Sequence, residues 1–153
     1  MKIIKRNKRA AFDYFLIQQF SAGIILTGPE VKAVKAGNIE LAESFVRFEG
    51  EEVFLWNANI SKTIYGEITP TRERKLLLHK KEIDELKRAL KQKGLTVIPV
   101  AIGLERGLIK VEIAVGRGKK NYDKRETIKK RENDVIMRKV ASGKYQARKS
   151  GII

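Results

Sequence analysis

Apolar and polar residues alternate most regularly over residues 109–115, where Ile109, Val111, Ile113 and Val115 are separated by Lys110, Glu112 and Ala114. That is the period-two pattern of a strand with one buried face. Ile98, Val100, Ile102 and Leu104 repeat it just upstream, and Glu105-Arg106-Gly107 between the runs suits a tight hairpin loop. Pro99 lacks an N–H and predicts a bulge or an unpaired edge position. Residues 45–48 and 53–56 read as a second hairpin around Glu49-Gly50-Glu51-Glu52. Residues 12–20 and 24–26 read as a third, turning at Ser21-Ala22-Gly23, and a further strand includes 75–78.

Two stretches change period. Pro29 suits a helix start, Val31 and Val34 lie three apart, and Gly37 is a natural stop. Residues 80–93 carry an apolar stripe of Ile83, Leu86 and Leu90, with Lys81 and Glu85 paired at i,i+4 and Gly94 at the end. Many short strands with two or three helices make a mainly β, α+β domain and predict a small closed barrel. An OB-like barrel is attractive because it binds oligonucleotides on a strand face and its loops. Beyond Gly118 apolar residues thin out. Ile128, Val135, Ile136 and Val140 share one helical side among Lys124, Lys129, Lys130, Arg131, Arg138 and Lys139. So thin a stripe cannot hold a helix against a core, and a lone helix of this length is marginal in water. The segment is expected to be disordered when free and to order on RNA; a solvated basic tail without a specific role is the alternative.

Charge sharpens this division. The 153-residue chain carries 33 Lys+Arg against 18 Asp+Glu, a net +15. A charge of that size repels itself and calls for a polyanion outside the fold, either phosphate backbones or an anionic membrane surface. Residues 117–153 hold 13 Lys+Arg and 4 Asp+Glu, and residues 1–116 hold 20 and 14. The reading is an RNA-binding barrel over 1–116 and a basic tail over 117–153. No apolar run approaches the roughly 20 residues that span a bilayer, and no signal-peptide pattern appears, so no membrane partner is expected. The chain has no cysteine, which removes disulfides and thiolate metal sites and suits a reducing cytoplasm.

Catalytic chemistry finds no foothold. His79 is the one histidine, without a second to complete a metal set or an acid/base pair. None of the serines lies in a Gly-x-Ser-x-Gly elbow. Gly116-Arg117-Gly118-Lys119-Lys120 lacks the spacing and the Ser/Thr of a P-loop and reads as a flexible basic hinge. Neither catalysis nor a cofactor is expected. Basic residues instead gather at Lys5-Arg6-Asn7-Lys8-Arg9, which leads into the first strand, at Arg72, Arg74 and Lys75, and from Arg117 to Arg125. Each group can contact phosphates. Tyr122 offers a face for base stacking, with plain surface as the alternative.

Taken in order, Asn7-Lys8-Arg9, Ala22-Gly23-Ile24, Leu26-Thr27-Gly28, Glu30-Val31-Lys32, Ala36-Gly37, Arg74-Lys75-Leu76-Leu77-Leu78-His79-Lys80, Glu82-Ile83 and Gly118-Lys119-Lys120…Asp123-Lys124-Arg125 resemble the SsrA-binding protein (SmpB) family over residues 7 to 132. The resemblance implies an OB-like closed six-stranded antiparallel barrel with three helices and a basic C-terminal tail. It implies a monomeric protein of the bacterial cytoplasm, without a cofactor, that binds the tRNA-like domain of transfer-messenger RNA (tmRNA) and delivers it to stalled ribosomes for trans-translation. The ribosomal partner is the small-subunit decoding centre and mRNA channel of the 70S particle, where the tail becomes helical. Alanyl-tRNA synthetase and elongation factor Tu would be met indirectly, through the RNA.

Carried over by position, Asn7, Lys8, Arg9, Glu30, Lys32, Leu78 and Lys110 fall on the family's tmRNA-binding surface. Ser21 stands where the family usually has a glutamate, so the role of that carboxylate passes to other groups. Gly118, Lys119, Lys120, Tyr122, Asp123, Lys124 and Arg125 match the start of the ribosome-engaging tail, Tyr122 at an aromatic-or-histidine position read as stacking on decoding-centre bases. The stretch 61–70 is shorter than in many relatives. After Glu132 the tail departs, with Asn133 at a position often aromatic and Ile136-Met137 one helical turn earlier than a comparable pair. A different OB-like single-stranded RNA or ribosome-associated protein would share the basic surface without the tRNA-like-domain preference. An RNA-modifying enzyme would need a constellation that the chain lacks.

Overall fold

The computed structural model describes residues 1–61, 64, 66–120, 124–125 and 128–129. In chain order these form β1 (Lys2–Arg6), α1 (Lys8–Asp13), β2 (Tyr14–Ile24), α2 (Gly28–Lys35), β3 (Ile39–Glu40), β4 (Phe45–Glu49), β5 (Glu52–Trp56), β6 (Asn59–Ile60), β7 (Arg74–Leu77), α3 (Lys80–Leu90), β8 (Leu95–Glu105) and β9 (Leu108–Gly118). The chain divides after Gly118. The first unit is mostly β, with three helices among the described residues.

The hairpin expected around Glu105-Arg106-Gly107 forms. β8 and β9 pair antiparallel from Leu95↔Arg117 to Glu105↔Leu108. Arg106 and Gly107 both take positive φ, 50° and 78°, as a two-residue hairpin turn that follows the strands' twist demands. The β4–β5 hairpin also forms, closing at Glu49↔Glu52. Register shifts between Pro99 and Ala101, so the bulge that Pro99 foretold is present with Val100 as the extra residue. That bulge turns β8 over: Ile98 pairs with Ala114, whereas Ile102 pairs with Val111. Ile102 therefore joins the main core, while Ile98 is buried outside it together with Ala10 and Ala114.

Three expectations are corrected. No turn occurs at Ser21-Ala22-Gly23. β2 runs straight through, with Ser21 opposite Glu112, Ala22 opposite Val111 and Gly23 opposite Lys110. The small residues there serve packing: a Cβ on Gly23 would meet the Leu77 Cβ at 3.3 Å. Secondly, the basic stretch does not lead directly into β2. Lys5 and Arg6 end β1, Asn7 caps α1, and Phe12 lies in α1, not in a strand. Thirdly, the main sheet has seven strands in the order β1-β8-β9-β2-β7-β5-β4, and a separate pair joins β3 to β6. A closed six-stranded ladder is not formed, because β1 and β4 remain its hydrogen-bonded edges. The core lies on one face of this sheet, where Phe20, Ala22, Leu55, Leu76, Val97, Ile102, Val111, Ile113 and Val115 meet Val34 of α2 and Leu86 of α3.

Candidate nucleic-acid interface

Three of the expected RNA contacts come together. Ser21, Leu78 and Lys110 line one open groove of about 250 Å³ with Leu77, His79 and Glu82. The register explains the meeting. Ser21 faces Glu112 and Gly23 faces Lys110 on β9, while Gly23 faces Leu77 on β7. Lys110 is also paired with Gly103 on its other side, so it stands between two residues without side chains. A strand glycine often marks a place where another chain or ligand approaches closely. His79 sits at the start of α3, where its backbone N–H donates to Glu82 Oε1 at 3.0 Å. Its side chain is exposed.

Leu77 and Lys110 also line a neighbouring groove of about 370 Å³, with Gly23, Leu26, Val31 and Leu108 among its walls. The side chains of Leu77 and Leu108 are strongly exposed. These two leucines belong to the surface, and the sequence reading gave them no part in binding. Their signal was weak, since an apolar residue in a strand normally announces a core contact.

Asn7 and Arg9 line a different groove of about 280 Å³, with Asp13, Tyr14, Ser44 and Phe45. Asn7 is buried and fully occupied with structure. Its backbone N–H donates to Val100 O at 2.8 Å, its Nδ2 donates to Pro99 O at 2.9 Å, and its Oδ1 accepts from Arg9 N at 3.2 Å. It caps α1 and holds the β8 bulge in one stroke. Arg9 is exposed and bridges Asp13 at 3.4 Å and Glu43 at 3.2 Å. Lys8 is exposed.

Glu30 lies inward as well. Thr27 starts α2: its Oγ1 accepts from Glu30 N at 3.4 Å, and its own N–H donates to Glu30 Oε1 at 2.9 Å. Arg72 Nη2 also donates to Glu30 Oε1, at 2.5 Å, and Arg74 Nε donates to Glu30 Oε2 at 2.6 Å. The Glu30 side chain is 2 % exposed and that of Arg74 0 %. Burial alone would push the Glu30 carboxyl up, but the Thr27 N–H and the two arginines outweigh it and hold it below the ordinary range. Burial lowers the Arg74 guanidinium from its usual value, against the raising effect of Glu30. Arg74 was read as a phosphate contact. It is instead sealed, with its remaining N–H groups donating to Ala58, Thr69 and Pro70 carbonyls. Lys75 forms an exposed pair with Glu52 at 3.6 Å, and Lys32 is exposed on α2.

Of the tail positions, Gly118 ends β9 and is exposed. In the second unit, Lys124 N donates to Lys120 O at 3.1 Å; Lys119 is half-buried and Lys120 and Arg125 are exposed. Tyr122 and Asp123 lie outside the described residues, as do Val135, Ile136 and Val140. Among the described residues no group of three His, Asp or Glu is placed to hold a metal ion, and no helix is long and apolar enough to cross a membrane.

A family model described as SmpB protein matches residues 4–142. The chain is similar to an SsrA-binding protein from Caldicellulosiruptor bescii, 50% identical over 142 residues covering 91% of this chain and 90% of that protein. A second, from Thermosipho melanesiensis, is 48% identical over 147 residues, covering 94% and 100%. Among solved structures, a chain described under "tmRNA-SmpB: a journey to the center of the bacterial ribosome" aligns with a TM-score of 0.64 and 44% identity. The alignment covers 76% of this chain and 85% of that one.

Proposed function

The chain belongs to the SmpB protein family, and from that membership we propose that it binds tmRNA and brings it to stalled ribosomes in trans-translation. The observation that carries this reading is the family match across residues 4–142. It is joined by the likeness to a solved tmRNA-SmpB chain on the bacterial ribosome. As a member of that family it acts by binding RNA and not by catalysis.

The tRNA-like domain of tmRNA docks on the outer face of β7, β2 and β9, where Ser21, Leu78 and Lys110 share a groove. Lys110, flanked by Gly23 and Gly103, meets a phosphate, and the exposed Leu77 and Leu108 give a sugar or base an apolar rest. Lys8, Arg9 and Lys32 add positive charge. Asn7 and Glu30 contribute by holding α1 and α2 in place. The curled sheet, with β4 packed near β8, serves as an OB-like barrel. The basic segment 117–153 occupies the empty decoding site and mRNA channel. The working form is a monomer in the bacterial cytoplasm that meets alanyl-tRNA synthetase and elongation factor Tu through tmRNA alone.

The deciding experiment is capture of the tagged chain from a bacterial lysate, followed by sequencing of the bound RNA. A dominant tmRNA signal supports the reading. A broad spread of RNAs would instead make the chain a generic RNA binder.

A further inference from the structure

Arg72 stands out in the charge balance of the buried cluster beneath α2. The Glu30 carboxylate is matched without it. Arg74 is completely enclosed, donates to Glu30 Oε2 at 2.6 Å, and spends its other N–H groups on three backbone carbonyls. One buried anion and one buried cation cancel. Thr27 N already supplies a donor to the second carboxylate oxygen. Arg72 adds a second cation to a site that was already neutral, so the cluster carries a surplus positive charge.

That surplus sits at the surface. The Arg72 side chain is 39 % exposed. Its Nη2 is held by Glu30 at 2.5 Å, and its Nη1 donates to Glu73 O at 3.1 Å. A guanidinium has five N–H donors. The two contacts fix the plane of the group and leave other donors for a ligand. An exposed arginine usually loses side-chain entropy when it engages a phosphate; here the protein has ordered it beforehand. A planar fork matches phosphate geometry better than a lysine does.

We propose that Arg72 is a preorganised phosphate contact for the bound RNA, and that Glu30 is its positioning residue. The proposal rests on the functional reading above and deepens it. It gives Glu30 a part in RNA binding that needs no exposure of its own carboxylate.

The test uses the full chain and purified tmRNA, with binding followed across a salt series and unfolding midpoints measured beside it. Arg72→Ala keeps the Glu30–Arg74 pair, so its midpoint should stay close to that of the wild type. Its affinity should fall about ten-fold, and the slope of log K against log salt should flatten by about 0.7–0.9, the value for one lost phosphate contact. Arg72→Lys should restore the slope and part of the affinity. Glu30→Gln should weaken binding in the wild-type background and add little on top of Arg72→Ala, because both act through one group. Additive losses would mean that Glu30 acts separately and would overturn its positioning role. Should Glu30→Gln unfold, the Arg72→Ala and Arg72→Lys pair decides alone. Wild-type affinity and slope in Arg72→Ala would overturn the proposal while leaving tmRNA binding intact. Failure of the wild type to bind tmRNA would instead overturn the functional reading.

Discussion

Glu30 falls on the tmRNA-binding surface by its position in the family resemblance, and its side chain is buried with Arg74. Thr27-Gly28-Pro29-Glu30 has the spacing of a capping box, so its turn toward the helix start was legible in the sequence. Its partner lies 44 positions away, and nothing local reveals that. The arrangement has a pH consequence. The Glu30 pKa is lower in the fold than its ordinary 4.5, so the folded state favours the ionised form. Its contribution to stability is full above that ordinary value and disappears as pH falls through the lowered one. Urea midpoints of the wild type should therefore fall as pH drops below about 4.5. Glu30→Gln should start lower at neutral pH and lose less on acidification. A variant that follows the wild-type acid slope would show that other carboxylates set it.

At the level of elements, the edge of the sheet depends on how closely β1 lies on β8. A Cβ on Gly103 would fall 2.3 Å from the Lys2 carbonyl oxygen, a contact that only movement of backbone could relieve. Gly103→Ala should thus push β1 off the edge of the sheet at a cost of about 1–3 kcal/mol, typical of overpacking. Because β1 is terminal in the sheet, the damage should stay local. Amide exchange over Lys2–Arg6 should speed up while the β8–β9 amides keep their protection. Loss of protection throughout the sheet would mean that β1 is integral to the fold. The same elements mark what pattern can reveal. Where alternation was clean and bounded by turn residues, as in β4–β5 and β8–β9, both strands and their pairing were readable. β1 was missed because Lys2-Ile3-Ile4-Lys5-Arg6 puts two apolar residues side by side, not in alternation. α1 was missed because its six residues hold one buried position, Ala10, too little for a helical period. The groove joining Ser21, Leu78 and Lys110 needed the register of three strands, and Gly23 had been taken as a turn. A glycine inside a strand and a glycine ending one look alike until the neighbouring strand is placed.

For the whole molecule the question is how +15 is divided. The last residue of the main core is Val115, and β9 ends at Gly118. Residues 119–153 carry 12 Lys+Arg and 4 Asp+Glu, so a chain ending at Gly118 drops from +15 to +7. That truncation removes no member of the main core and none of the residues lining the Lys110 grooves. If the folded unit recognises tmRNA by shape and a few phosphates, affinity should fall by no more than a few-fold at moderate salt. A large nonspecific loss should appear only at low salt, where long-range attraction is strongest. Peptide tagging on stalled ribosomes should be abolished if the basic segment occupies the decoding site and mRNA channel as proposed. The two assays separate the jobs, because tmRNA affinity reads the sheet face and tagging reads both segments. Lost affinity with retained tagging would reverse the assignment, and loss of affinity at every salt concentration would place tmRNA recognition in the basic segment itself.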